Sequence, residues 1–109
     1  MGKGDWLGEF EICVLLAVAA AGDEAYGVRI RDEIESRTGR RVAIGAAYAT
    51  LARLDDKGLV RFRLDDPQPT PGGRARKCFR LTAAGTRALA ASTAVLTRMM
   101  AGWRPEGAR

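Results

Sequence analysis

The 109-residue sequence contains no histidine and only two cysteines, Cys13 and Cys78. The first absence removes the commonest metal ligand and the usual general base of nucleophilic triads. Two cysteines alone do not complete a four-ligand zinc site. No stretch reads G-x-x-x-x-G-K-[ST], the loop that cradles nucleotide phosphates, and no pair of carboxylates sits in a cleft-like context. These gaps argue against an enzyme, a metal site and a bound cofactor. Long apolar runs are missing too. The longest, Ile12 to Ala21, is alanine-rich and too short to cross a bilayer. The start, MGKGDW, lacks the charged-then-apolar layout of a secretory leader. The expectation is therefore a cytoplasmic protein with no membrane partner and two reduced cysteines.

Positive charge is absent from one part of the chain. Between Gly4 and Val28 there is no Lys or Arg, while Asp5, Glu9, Glu11, Asp23 and Glu24 are acidic. From Arg37 onward the sign reverses, through Arg40, Arg41, Arg53, Lys57, Arg61, Arg63, Arg74, Arg76, Lys77 and Arg80. The whole carries 18 basic against 13 acidic side chains, a net charge of +5. Gathering that excess in one region suits a polyanionic partner.

What is present reads as helix, helix, helix, hairpin, helix. Asp5 caps a first helix that stops at Gly22; it is apolar on most faces, which hints that a second subunit covers part of it. A second helix spans about Ala25 to Arg37, with Tyr26, Ile30 and Ile34 inward and Gly39 as its end. After the extended link RRVA, a third helix runs from Ile44 to Lys57, with Ala47, Leu51 and Leu54 inward and Gly58 closing it. LVRFRLDD alternates as a strand, with Val60, Phe62 and Leu64 on one face and Arg61 and Arg63 on the other. PQPTPGGRA is a turn, and RKCFRLT is the returning strand, with Phe79 and Leu81 inward and Lys77 off that face. Thr82 caps the last helix.

This order is mainly α, an α+β winged helix-turn-helix with an added C-terminal helix. Residues 1–82 form the DNA-binding part and residues 83–109 a dimerisation helix, together one compact unit. A helix that enters the major groove needs small outward residues and a few donors. The third helix offers Ala46, Tyr48, Ala49, Thr50 and Arg53. Arg61 and Arg63 of the first strand, with Arg74, Arg76 and Lys77 around the PGG turn, suit a reach to the backbone or minor groove. The implied partner is double-stranded DNA. A winged helix that binds an acidic protein, and no operator, is the alternative reading of the same face.

On the last helix Leu89, Thr93, Leu96, Met100 and Trp103 recur at four- and three-residue steps, a heptad-type seam that wants a partner helix. Together with Leu7, Phe10 and Val14 of the first helix they compose an expected homodimer interface. Two-fold symmetry would set two recognition helices about 34 Å apart on a pseudo-palindrome.

The motifs AYG, G-x-x-Y-x-x-L-x-R-L-x-x-K-G-L-V and GGR-x-R-K before an aromatic and RLT resemble the PadR family of bacterial transcriptional regulators, over about Leu15 to Leu89. That resemblance implies a winged helix with its third helix in the major groove, a wing on the backbone and a dimer through the last helix. Repression is implied by the resemblance alone. It also implies, in members with short C-terminal regions, a planar aromatic ligand held between tryptophans at the dimer interface; Trp6, Met99, Met100 and Trp103 are the candidates here. The chain departs from the pattern twice. Ala43 and Ile44 stand where the family often has serine and proline, forgoing a side-chain cap of roughly 1 kcal/mol. Cys78 replaces the first of two aromatics; on the outer face of its strand, beside Arg76 and Arg80, it reads either as a redox-sensing thiol or as a plain substitution.

Overall fold

A computed structural model describes residues 6–65 and 75–106. Helix α1 runs Glu9–Ala21 and starts later than a cap at Asp5 requires, a residue outside those described. Gly8 takes the cap position: its N–H donates to Glu11 Oε1 at 3.0 Å, so the carboxylate reaches back to a donor the first turn leaves orphaned. Gly22 ends the helix at φ 57° and opens a 3₁₀ turn, Gly22–Glu24. Helix α2 spans Gly27–Thr38, which makes Tyr26 its cap residue and not part of its inner stripe. Helix α3 spans Ile44–Asp56 with Ala43 as a cap that contributes no side-chain bond. It ends in a Schellman motif: Leu59 N–H donates to the Leu54 carbonyl and Gly58 N–H to that of Asp55, both at 2.9 Å, with Gly58 at φ 76°.

Strands β1, Val60–Asp65, and β2, Arg76–Leu81, pair antiparallel, from Val60 opposite Leu81 to Asp65 opposite Arg76. The tip between them, with the PGG turn and Arg74, lies outside the described residues. Helix α4 is Ala83–Met100. Thr82 caps it as expected, its Oγ1 accepting from Gly85 N–H at 2.9 Å and donating to the Gly58 carbonyl at 2.7 Å.

One core unites these elements. Val14, Leu15 and Val18 of α1 meet Ile30 and Ile34 of α2, Leu51 and Leu54 of α3, and Val60 and Phe79 of the hairpin. Each large aliphatic buried there stabilises the fold by about 1.5–3 kcal/mol. Val14 belongs wholly to this core, so its expected place at a subunit interface is corrected. Among the described residues no helix is long and apolar enough to cross a membrane, and no cluster has the composition of a metal site.

The hairpin departs from simple alternation. Residues directly opposite share a face, which puts Lys77 on the side of Phe62 and Phe79, and its Nζ lies 4.5 Å above the Phe62 ring. Leu64, on that same side, stands 63% exposed because it has run past the body. Cys78 is not outward but 1% exposed. The segment before α2 lies along β2: Phe79 N–H donates to the Ala25 carbonyl at 2.9 Å, Tyr26 bridges Cys78, and the Cys78 thiol donates to the Asp23 carbonyl at 3.3 Å. The segment thus pairs along the edge of β2 that β1 leaves open, and its Asp23 carbonyl closes over the Cys78 side chain. A thiol so enclosed is shielded from an oxidant.

Candidate nucleic-acid interface

Helix α3 divides into an inner row and an outer face. Ala47, Leu51 and Leu54 are wholly buried, while Gly45, Ala46, Ala49 and Ala52 are exposed. From Gly45 to Ala52 the outer surface thus carries little beyond methyl groups, and its backbone is free to approach another molecule closely. Thr50 was expected outside and is instead 2% exposed. It sits between Ala47 and Leu54, and its Oγ1 accepts from Arg53 Nη2 at 3.0 Å. The buried hydroxyl thereby holds the exposed arginine at a set height.

Tyr48 projects from the flank of α3 that faces α2, 44% exposed. Its ring rests where Gly27 has no side chain, and a Cβ at Gly27 would overlap it. The glycine of AYG is therefore explained by the tyrosine of the third helix. Tyr48 shares an open cleft of about 350 Å³ with Tyr26, Val28, Ala75, Arg76 and Lys77. The structure so brings together the root of the wing and one flank of α3. Arg53 lies on the other flank, near α1, where its charge adds to the field on Glu11. Burial pushes the Glu11 carboxyl up, but the Gly8 N–H and Lys57 outweigh it and hold it below the ordinary value.

The cations differ in what they are bonded to. Arg40 pairs with Glu9 at 2.7 Å, Lys57 with Glu11 at 2.9 Å, Arg61 with Asp55 at 3.0 Å and Arg63 with Asp65 at 2.8 Å. Arg61 and Arg63, both expected at the interface, are thus engaged within their own chain. Arg41, Arg53, Arg76, Lys77 and Arg80 are exposed and have no carboxylate partner among the described residues. Arg41, in the doubled arginine just before α3, is not among the expected site residues. It borders an open hollow with Arg31, Glu35 and Ala43, in a link pinned by Val42 N–H donating to Glu35 Oε2 at 2.8 Å. At the wing root, the Tyr26 hydroxyl donates to Asp65 Oδ2, which lowers the Asp65 pKa and raises that of Tyr26.

A model of the Transcriptional regulator PadR-like family matches residues 15–91. The chain belongs to this family. The PadR-like chain is 43% identical over 70 residues to the transcriptional regulator Rv3488 of Mycobacterium tuberculosis, a match that covers 64% of this chain and 61% of that relative. The chain thus spans about three-fifths of the relative's length. Among solved structures it resembles a PadR-like transcription factor from Bacteroides fragilis, with a TM-score of 0.68 at 24% identity over 83% of this chain and 82% of the other. A PadR-like regulator from Bacillus cereus gives 0.69 at 21% identity, over 84% of each chain. At these identities the likeness establishes the fold, a PadR-like winged helix.

The residues expected at a PadR-type dimer contact fall into two sets. Leu7, Phe10 and Leu89 pack half-buried on their own core, and Thr93 Oγ1 donates to the Leu89 carbonyl at 3.0 Å. Leu96, Met99, Met100 and Trp103 are exposed, as is Trp6. Trp103 has left the helix: α4 ends at Met100 and the chain turns at Gly102, φ 82°.

Proposed function

We propose that this PadR-like protein is a sequence-specific DNA-binding regulator of transcription, a homodimeric repressor that covers a pseudo-palindromic operator. The observation that carries the reading is the pairing of an alanine-rich outer face on α3 with cations left without a carboxylate partner among the described residues, Arg53 on α3 itself and Arg76 and Lys77 on the wing. In this reading α3 enters the major groove, Tyr48 and Arg53 contact phosphates or base edges, and the wing lies on the backbone. Residues 1–82 serve DNA binding and residues 83–109 dimerisation. The exposed Leu96, Met99, Met100 and Trp103 support a second copy on α4, and the same thioethers and indoles suit a planar aromatic effector that releases the DNA.

Fluorescence anisotropy with the duplex upstream of the protein's own coding region tests the reading. Tight binding that weakens steeply with salt is expected, and Arg53→Ala is expected to lose roughly tenfold or more at constant salt. No binding to that duplex, and none to random duplex at low salt, would overturn the reading and leave an acidic protein partner in its place.

A further inference from the structure

Tyr26 lies outside every group assigned to DNA so far, yet three parts of the interface converge on it. Its hydroxyl donates to Asp65 Oδ2 at the end of β1. Its ring carries the Arg76 guanidinium 4.0 Å from the centroid. Its neighbour Gly27 supports the ring of Tyr48. The register adds a second fact: Asp65 and Arg76 are directly opposite each other on the two strands. An aspartate and an arginine so placed are the natural partners of a cross-strand ion pair. They do not form one. The carboxylate of Asp65 is occupied by the Tyr26 hydroxyl on Oδ2 and by Arg63 Nε on Oδ1 at 2.8 Å. Arg76 is left on the face of the tyrosine, where a guanidinium keeps its N–H groups at the edge and available.

We propose that Tyr26 is a positioning residue for DNA binding: by occupying Asp65 and stacking under Arg76 it keeps that arginine out of an internal ion pair and aimed at a phosphate. The proposal rests on the DNA-binding reading above and adds to it a residue that never touches DNA. Without the hydroxyl, Asp65 recovers a free oxygen directly across from Arg76 and captures it. A phosphate then has to compete with a carboxylate already in place.

Three variants separate this from a merely structural role. Tyr26→Phe keeps the ring and removes the hydroxyl; operator affinity is expected to fall roughly tenfold and the log–log salt slope to shrink by about one, the signature of one lost phosphate contact. Asp65→Asn removes the competing charge while its amide oxygen still accepts from Tyr26; it also releases Arg63, so it is expected to bind at least as tightly as the parent. The double variant Tyr26→Phe with Asp65→Asn is expected to regain most of the lost affinity and the full slope, because the carboxylate directly across from Arg76 is gone. A simple structural role for the tyrosine would lower the melting temperature and would not be rescued in this way. If Tyr26→Phe binds as the parent does, or if Asp65→Asn fails to rescue it in a protein that melts normally, the proposal is wrong while the parent's binding stands. If the parent itself binds no duplex, the DNA-binding reading fails first.

Discussion

Gly27 and Thr50 each act on an exposed side chain of α3 that the proposal places against DNA. At Gly27 the place of a Cβ is taken by the ring of Tyr48. That ring is the far end of a side chain and swings away at little cost, so Gly27→Ala is expected to leave the melting temperature within a few degrees. The displaced Tyr48 no longer meets its target, and operator affinity is expected to drop roughly tenfold in an anisotropy titration. Unchanged affinity would mean that Tyr48 takes no part in binding. Thr50 is buried and gives its hydroxyl oxygen to Arg53. Thr50→Val keeps the shape and deletes the acceptor, so the guanidinium loses its tether while the packing stays. Stability is expected to change by less than about 1 kcal/mol in urea unfolding, since each lost hydrogen bond is partly offset by burying an apolar methyl. Affinity is expected to fall by about threefold, less than for Arg53→Ala, because what is lost is preorganisation and not the contact itself.

At its start, α4 fits closely against the hairpin. Its Gly85 faces the Leu59 carbonyl so closely that a Cβ there would strike backbone, and the same carbonyl accepts from Thr82 N–H at 3.0 Å. Gly85→Ala is expected to destabilise the fold by about 2–3 kcal/mol, lowering the melting temperature on the order of 10 °C in a calorimetric scan. Melting like the parent would show that α4 is only loosely docked. Such a contact has no period in the sequence, and that divides what was legible from what was not. The inner rows of α2 and α3 were legible because Ile30, Ile34, Ala47, Leu51 and Leu54 recur at helical spacing and each needs only its own helix to be placed. Cys78 was not, because its burial comes from a segment more than fifty residues earlier that lies along β2 and covers a face alternation assigns to water. Tyr26 was read as core for the same reason: its aromatic ring fits the inner stripe, while its partners Asp65 and Arg76 come from the hairpin. Arg61 and Arg63 looked free in a basic stretch, and only the fold shows Asp55 and Asp65 beside them. The hairpin and α3 were thus visible as elements, but which of their charges are available was decided by tertiary pairing.

At the scale of the whole molecule, the single chain leaves a surface unfinished. Its Cα radius of gyration is 15.8 Å, larger than the ~13 Å of a compact domain of this length. The end of α4 and the segment after it contribute to that excess: every residue from Leu96 to Glu106 is exposed, including Leu96, Met99, Met100 and Trp103. Leu16 of α1 is exposed as well. Apolar side chains at four- and three-residue steps on a helix gain most from a second helix with the same steps, and a second copy of this chain supplies it. In the proposed dimer, two copies would present two α3 helices to one duplex, and the affinity of each for its half-site would be multiplied by the other. Sedimentation equilibrium is expected to give twice the 11.7 kDa chain mass at micromolar concentration. Leu96→Glu combined with Met100→Glu puts like charges on both sides of the seam and is expected to yield a monomer with its helical circular dichroism retained. Binding of that variant to a full operator is expected to fall by about a hundredfold or more, while binding to a duplex carrying one half-site stays within a factor of about two, since only the linkage between sites is lost. A monomeric parent, or a charged variant that holds the full operator as tightly as the parent, would show that one chain reads its site alone and that the exposed end of α4 serves some other contact.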